Sequence, residues 1–489
     1  MNNIGNDDED LKYHHATADP RDNKLTSPPQ DEQIRVPAIW VFEVFPPSFI
    51  SNLRDSASKL GWTQSERVIN PDFLDSVDRM RFRLSGGGWL NLGYIIRDTS
   101  QALNINRQAE LPDGVDAIHA SILQYIPSTT ILAFQFLLDD DTSNAIDQPL
   151  RETYSTYKER IKDGWRYYNV ESQKRLAVEL ARESVRTLCS EWVKNYFPGL
   201  YASGQFDESF PTCEIITFKK NEPYKLIDSK TRDSFLSMLN LDHDYFAWGS
   251  QKISGLFLQL YEERNKDVSK LVLSGNISKI LEDSDLKGYS SDTREGKILL
   301  WLTHFDNTIG IWVLYVIART YEKQLGVLRD SYGSIDLSHL DSAASEVQVL
   351  DRKLLNLQSN LTPFIHELFS ICEKKAYFLH DVYEFYPIAE DRKNDKGLFD
   401  GLREKLLMLA ESLRSSEEQV GAISNRNSQL ASVISSDKLS KTNIRLQRGI
   451  FWMTWVLIIL TLILVVSEFK DEDFIKDAFQ YFSRLVKIH

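Results

Sequence analysis

Cysteine is scarce in this sequence: Cys189, Cys213 and Cys372 are the only three in 489 residues, with no CxxC pair and no even-numbered framework. That excludes a disulfide scaffold and a cysteine-built metal site, and it fits a reducing compartment with three buried thiols. An excess of positive charge is missing too. The 57 Lys and Arg face 70 Asp and Glu, a formal charge of −13, so a general nucleic-acid binder with a basic face is not expected. Catalytic signatures are absent as well: there is no GxSxG, HExxH, kinase set or GxGxxG followed by an acidic residue. The tight His/Asp groups, Asp242–Asp244 and His380–Asp381, are read as loop and helix-flank residues. No catalytic residue, cofactor or metal ligand is therefore expected. The first residues carry no apolar core that would mark a secretory signal. Residues 1–36, rich in Asp, Asn and Pro and including His14–His15, are expected to be a disordered arm.

What the sequence does contain suggests an α+β protein. In residues 37–145, Ala38–Phe45 reads as a strand, and the Pro-led stretch after it as a helix. Met80–Ile96 reads as two strands around the Gly86–Gly88 turn, which lacks the GxxxxGK[ST] of a phosphate cradle. Ile118–Ile126 and Thr129–Leu138 read as a hairpin turning at Pro127–Ser128. Asp139–Asp141 reads as a solvated exit loop. Residues 146–335 read as mainly helical, with Leu176, Leu180, Leu188 and Trp192 forming one apolar stripe and Phe210–Phe218 a returning strand. Ile298–Ala318 holds one full charge, Asp306, beside His304. It is read as a buried helix, with a membrane span as the alternative.

Two heptad runs occupy residues 340–448. The first runs from Val347 to Phe385, with Pro363 inside it. The second, from Phe399 to Ile434, places Leu402, Leu406, Leu409, Leu413, Val420, Ile423 and Leu430 on alternating three- and four-residue steps, with Asn427 as a polar interruption. A coiled-coil stalk is expected, either as an antiparallel hairpin within one chain or as a bundle between copies whose register Asn427 would fix. The second helix, roughly 75 Å from Phe399 to Arg448, leads into the nineteen uncharged residues Gly449–Ser467. Nineteen residues nearly span a hydrocarbon core, and Trp452 and Trp455 sit where indoles favour headgroups. Lys438, Lys441, Arg445 and Arg448 precede the segment and Glu468, Lys470, Asp471, Glu472 and Asp473 follow it, so the N-terminal part is expected in the cytoplasm. Residues 468–489 carry an amphipathic pattern through Phe474, Phe479, Phe482 and Val486.

The order of parts, and Thr442–Val466 with Asn443 just before the apolar run, resembles the CorA-type magnesium channel family. The resemblance implies a cytosolic α/β domain, a long stalk helix and a pore of helices from several subunits. That family's Gly-Met-Asn motif is replaced here by Ser467-Glu468-Phe469, so magnesium selectivity and site residues are not carried over. The expectation is a single-pass, membrane-anchored homo-oligomer, acting as effector, scaffold or sensor on a cytosolic ligand or protein, and not as an enzyme. The alternative is a divergent CorA-like ion channel.

Overall fold

A computed structural model describes residues 18–62, 73–83, 88–97, 106–162, 164–204, 208–224, 235–241, 244–260, 269–282, 306–335, 340–373 and 385–468, with a few positions between 476 and 484. The strands are β1 (Ile34–Phe45), β2 (Gly88–Ile96), β3 (Asn106–Gln108), β4 (Val115–Ile126), β5 (Thr129–Leu138), β6 (Tyr157–Ile161), β7 (Gly164–Tyr168), β8 (Thr212–Phe218), β9 (Ala247–Ser250), β10 (Leu256–Leu260), β11 (Lys270–Asn276) and β12 (Phe385–Pro387). The helices are α1 (Ala18–Thr26), α2 (Ile50–Lys59), α3 (Phe73–Arg81), α4 (Asp140–Ser143), α5 (Asp147–Arg151), α6 (Val170–Tyr196), α7 (Phe235–Met238), α8 (Ile277–Glu282), α9 (Asp306–Gly333), α10 (Leu340–Glu373) and α11 (Leu398–Glu468). The chain divides into two compact units. One comprises Met1–Val327 with Leu355–Gln419, and the other Leu328–Leu354 with Val420–His489.

The first unit, the head, is built on a ten-stranded mixed sheet in the order β12-β9-β10-β11-β8-β1-β5-β4-β2-β3. Its central strands β1, β4, β5 and β8 are buried along nearly their whole length, which explains why they read as continuous apolar runs without alternation. The β4–β5 hairpin turns tightly at Pro127–Ser128, as the sequence suggests. On one face of the sheet lies α9, where Ile311, Trp312, Val313, Leu314 and Ile317 are almost inaccessible. Trp312 meets Phe42 of β1 edge-on, with ring centroids 5.9 Å apart. Gly310 is needed there because a Cβ would run into the Tyr125 ring. Burial of Ile309–Ala318 on all sides is the state expected of a core helix, and residues 298–305 lie outside the described residues.

Several expectations change. The arm is ordered from Ala18 onward. Helix α1 packs on α6, with Asp19 accepting from the Thr156 amide and hydroxyl at 2.9 and 2.7 Å, and Asn23 bridging to Tyr154. Its polar side chains read as solvated, but they hold the chain in place instead. Met80 and Arg81 end helix α3, and only the strand from Gly88 onward is a strand. In α6 three residues of the expected stripe face water, with Leu176, Leu180 and Leu188 54%, 60% and 37% exposed, whereas the fourth, Trp192, is buried as expected. The buried face carries Val170, Lys174, Val178, Arg182, Arg186 and Cys189. The region expected to be mainly helical gives four strands, β8 to β11, to the sheet. It also gives the separate ribbon β6–β7.

Candidate functional site: the C-terminal helix and its support

The second heptad run and the membrane segment lie on α11, a single 71-residue helix. The first run lies on α10 as far as Glu373, residues 374–384 of it lie outside the described residues, and Phe385, expected to close it, belongs to strand β12. Within the head, Leu402, Leu406, Leu409 and Leu413 are 2%, 0%, 7% and 0% exposed. The polar rim of this packing is explicit: Thr362 of α10 donates to Glu417 at 2.7 Å, and Ser412 donates to Glu322 of α9 at 3.2 Å. On α10, Leu361, Phe364 and Leu368 are fully buried, with Phe364 edge-on to Tyr321 of α9 at 5.3 Å. The heptad positions of α11 up to Gln419 are thus covered by the same chain. They do not form an exposed seam awaiting another copy, because the head itself buries them, a cover that heptad spacing alone does not reveal.

The second unit holds the end of α9, the start of α10 and the remainder of α11. Val420 is buried, Ile423 and Asn427 are half-buried, and Leu430 is 37% exposed. Asn427 reaches only the Tyr332 carbonyl, at 3.5 Å, a weak contact made within this chain. The strong polar contact lies beside it. The Asp351 carboxylate of α10 accepts from the Tyr332 hydroxyl at 2.7 Å and from the Ser424 and Ser428 hydroxyls of α11, both at 2.6 Å. Burial pushes the Asp351 carboxyl up, but the hydroxyls of Ser424, Ser428 and Tyr332 outweigh it and hold the group below its ordinary value. No periodicity argument finds this pin. Asp351 reads as a surface charge until the serines are seen one turn apart on the facing helix.

Beyond this unit's packed part the helix becomes apolar on every side. Leu439–Glu468 has a hydropathy of 2.6 in its most apolar stretch, and none of that stretch is buried. Gly449 and Ser467 bound the uncharged run and are exposed, as are Trp452 at 69% and Trp455 at 48%. The two hydroxyls inside the run are satisfied by the helix itself, Thr454 donating to the Ile450 carbonyl at 2.8 Å and Thr461 to that of Leu457 at 2.7 Å. Among the described residues this is the one helix long and apolar enough to cross a membrane. Just before it, Lys441 pairs with Asp437 at 2.6 Å, both well exposed. The apolar residues of the tail, Phe474 to Val486, lie outside the described residues.

The head contains buried charge that the sequence reading missed. Glu214 of β8 lies between Arg182 and Arg186 of α6. It accepts from Arg182 Nε at 3.0 Å and from Arg186 Nη1 at 3.2 Å, and Glu179, Glu183 and Lys270 extend the network outward. Lys174, fully buried, donates to Ser27 at 2.7 Å and to the Leu150 carbonyl at 2.8 Å. Glu43 of β1 is buried, and among the described residues it forms no ion pair. It accepts backbone amides from Val44 at 2.8 Å and from Tyr201 and Ala202, both at 2.9 Å. Desolvation pushes its carboxyl up to about 7 against the pull of those amides. These are holding contacts made at turns and helix faces.

The Cys189, Cys213 and Cys372 thiols are buried, and burial pushes each of them up, away from the reactive thiolate. His119 bonds Asn91 at 3.0 Å, and burial pulls it down to about 4. Asp139 caps α4 by accepting the Thr142 amide at 2.8 Å. Among the described residues no three His, Cys, Asp or Glu side chains converge as a metal site would require. His380, Asp381, Asp242 and His243 lie outside the described residues. No family model matches this sequence, and no curated protein matches it.

Proposed function

We propose that this chain is a single-pass, membrane-anchored protein with a large cytoplasmic head, acting as an effector, scaffold or sensor and not as an enzyme. The observation that carries the reading is the C-terminal part of α11: an uncharged, all-round apolar helix that no described residue of the chain buries. Water makes such a surface costly, whereas a bilayer removes the cost. The cations before the run and the carboxylates after it support a cytoplasmic head. The anchor continues without a break into a helix whose upper leucines are part of the head's core. The bilayer and other copies of the chain, gathered in two dimensions by anchoring, are the proposed partners, together with a cytosolic ligand or protein yet to be found. No cofactor is invoked.

Labelling tests the topology. A cysteine placed in the tail should react with an impermeant reagent from outside sealed cells, and reaction only after the cytoplasmic side is opened refutes the orientation. A second reading is a pore formed by the Gly449–Ser467 helices of several copies, supported by the resemblance of Thr442–Val466 to the CorA-type membrane entry. Ion flux into liposomes that disappears when the membrane helix is replaced with poly-Leu establishes the pore, and its absence in wild type removes it.

A further inference from the structure

The β6–β7 ribbon stands apart from the ten-stranded sheet. Its register sets Lys158 opposite Tyr167 and Arg160 opposite Trp165. Side chains alternate along a strand, so these four share one face. The opposite face is occupied internally, with Tyr157 stacked on Tyr168 at 4.7 Å and the Tyr168 hydroxyl donating to Glu159 at 3.0 Å. The first face has no such closure. Trp165 and Tyr167 are 48% and 67% exposed. The Lys158 ammonium lies 4.8 Å from the centre of the Trp165 ring, and among the described residues neither Lys158 nor Arg160 has a carboxylate partner. An isolated two-stranded ribbon gains little stability from such side chains, so folding alone does not account for this combination.

We propose that this face of the ribbon docks on an anionic phospholipid bilayer. The chemistry fits the headgroup layer: lysine and arginine meet the phosphates and acidic headgroups, while indole and phenol rings settle at the boundary with the acyl chains. Size argues against a protein partner. Four side chains on a five-residue ribbon offer roughly 300–400 Å², well short of the ~800 Å² per partner of a stable protein interface. A bilayer is continuous and demands no matching shape. Charge gives orientation as well, because a chain of net charge −13 is repelled by an anionic surface except where a local basic face meets it. The inference goes beyond the anchoring reading and holds whichever way the apolar end of α11 is used.

The test uses the full chain, with its C-terminal helix enclosed in nanodiscs of pure phosphatidylcholine, mixed with sedimenting vesicles. Wild type is expected to co-sediment with vesicles containing phosphatidylserine and not with phosphatidylcholine vesicles. Capture should weaken with salt, and soluble glycerophosphoserine should not displace it. Lys158→Ala with Arg160→Ala should lower vesicle affinity about tenfold or more, given the worth of each cation at an anionic surface. Trp165→Ala with Tyr167→Ala should lower it under all salt conditions. Leu176→Ala with Leu180→Ala, equally exposed apolar changes on α6, should leave it unchanged. Ribbon variants that bind like wild type overturn the proposal. So does a wild type that ignores both kinds of vesicle, or one that glycerophosphoserine or an acidic peptide displaces through the same four residues.

Discussion

Glu43→Gln tests the buried carboxyl of β1. Glu43 ionises in the unfolded chain near its ordinary value and in the folded head only at about 7. Between those two values the folded state holds a proton that the unfolded state has released, so stability falls as pH rises through that window and levels off above it. A pKa rising from 4.5 to about 7 makes the head about 2–3 kcal/mol less stable at pH 8 than at pH 5 through this group alone. The glutamine side chain of the variant cannot ionise. Its amide oxygen keeps the bonds from Val44 and Tyr201, while its NH2 faces the Ala202 amide that Glu43 Oε2 accepts, at a pH-independent cost of about 1–3 kcal/mol. The difference between wild type and variant cancels every other titrating group. In urea unfolding followed by tryptophan fluorescence, the wild-type advantage at pH 5 should exceed that at pH 8 by about 2–3 kcal/mol, leaving the two nearly equal at pH 8. An advantage that is equal at both pH values, or larger at pH 8, refutes the reasoning. It would mean that the three amides stabilise the anion enough to offset its burial.

The remaining predictions concern the helices. Asp351→Asn should cost the second unit about 1–3 kcal/mol, because three hydroxyl donors exchange a carboxylate for one amide oxygen. Amide exchange in 340–354 and 420–430 should speed up while that of β1 and β5 stays unchanged. In wild type the Asp351 contribution should be present at neutral pH and lost as pH falls below the ordinary aspartate range, since its carboxyl is held below that value. Leu413→Asp places a charge where the side chain is fully buried, so it should unfold the head, measured as lost near-ultraviolet circular dichroism. A variant that keeps its fold and changes only its oligomeric state would restore the intersubunit seam that heptad spacing suggests.

Much of the fold is legible where burial is two-sided and long. The strands β1, β4, β5 and β8 and the Pro127–Ser128 turn follow from apolar runs and a breaker. The apolar end of α11 needs nothing but length and the absence of charge. Legibility fails where polar groups do the burying. In α6 the guanidiniums of Arg182 and Arg186 face the core because Glu214, 28 or more residues away, is there to receive them. Hydrophobicity therefore marks the wrong side of the helix, Leu176 and Leu180. Short strands such as β9 and β10, of four and five residues, carry too little pattern to stand out between charged stretches. The Asp351 pin and the β6–β7 face share that invisibility, because each depends on which residues the fold sets opposite one another.

The ends of the ten-stranded sheet carry a consequence for self-association. Its two outermost strands, β3 and β12, have three residues each, and β12 finishes on Pro387, which has no amide hydrogen to offer. A strand arriving from another copy would find only three residues of track on either outermost strand, although β3 covers β2 only at Tyr94–Ile96 and no described strand pairs with the outer edge of Gly88–Gly93. Short outermost strands limit edge-to-edge fusion of heads into continuous β-structure, the hazard that local crowding creates for sheets with long open borders. For copies gathered as proposed, this favours association through helix surfaces, where contacts can be made and released, so a large sheet can be held at high local density with less risk of seeding aggregation.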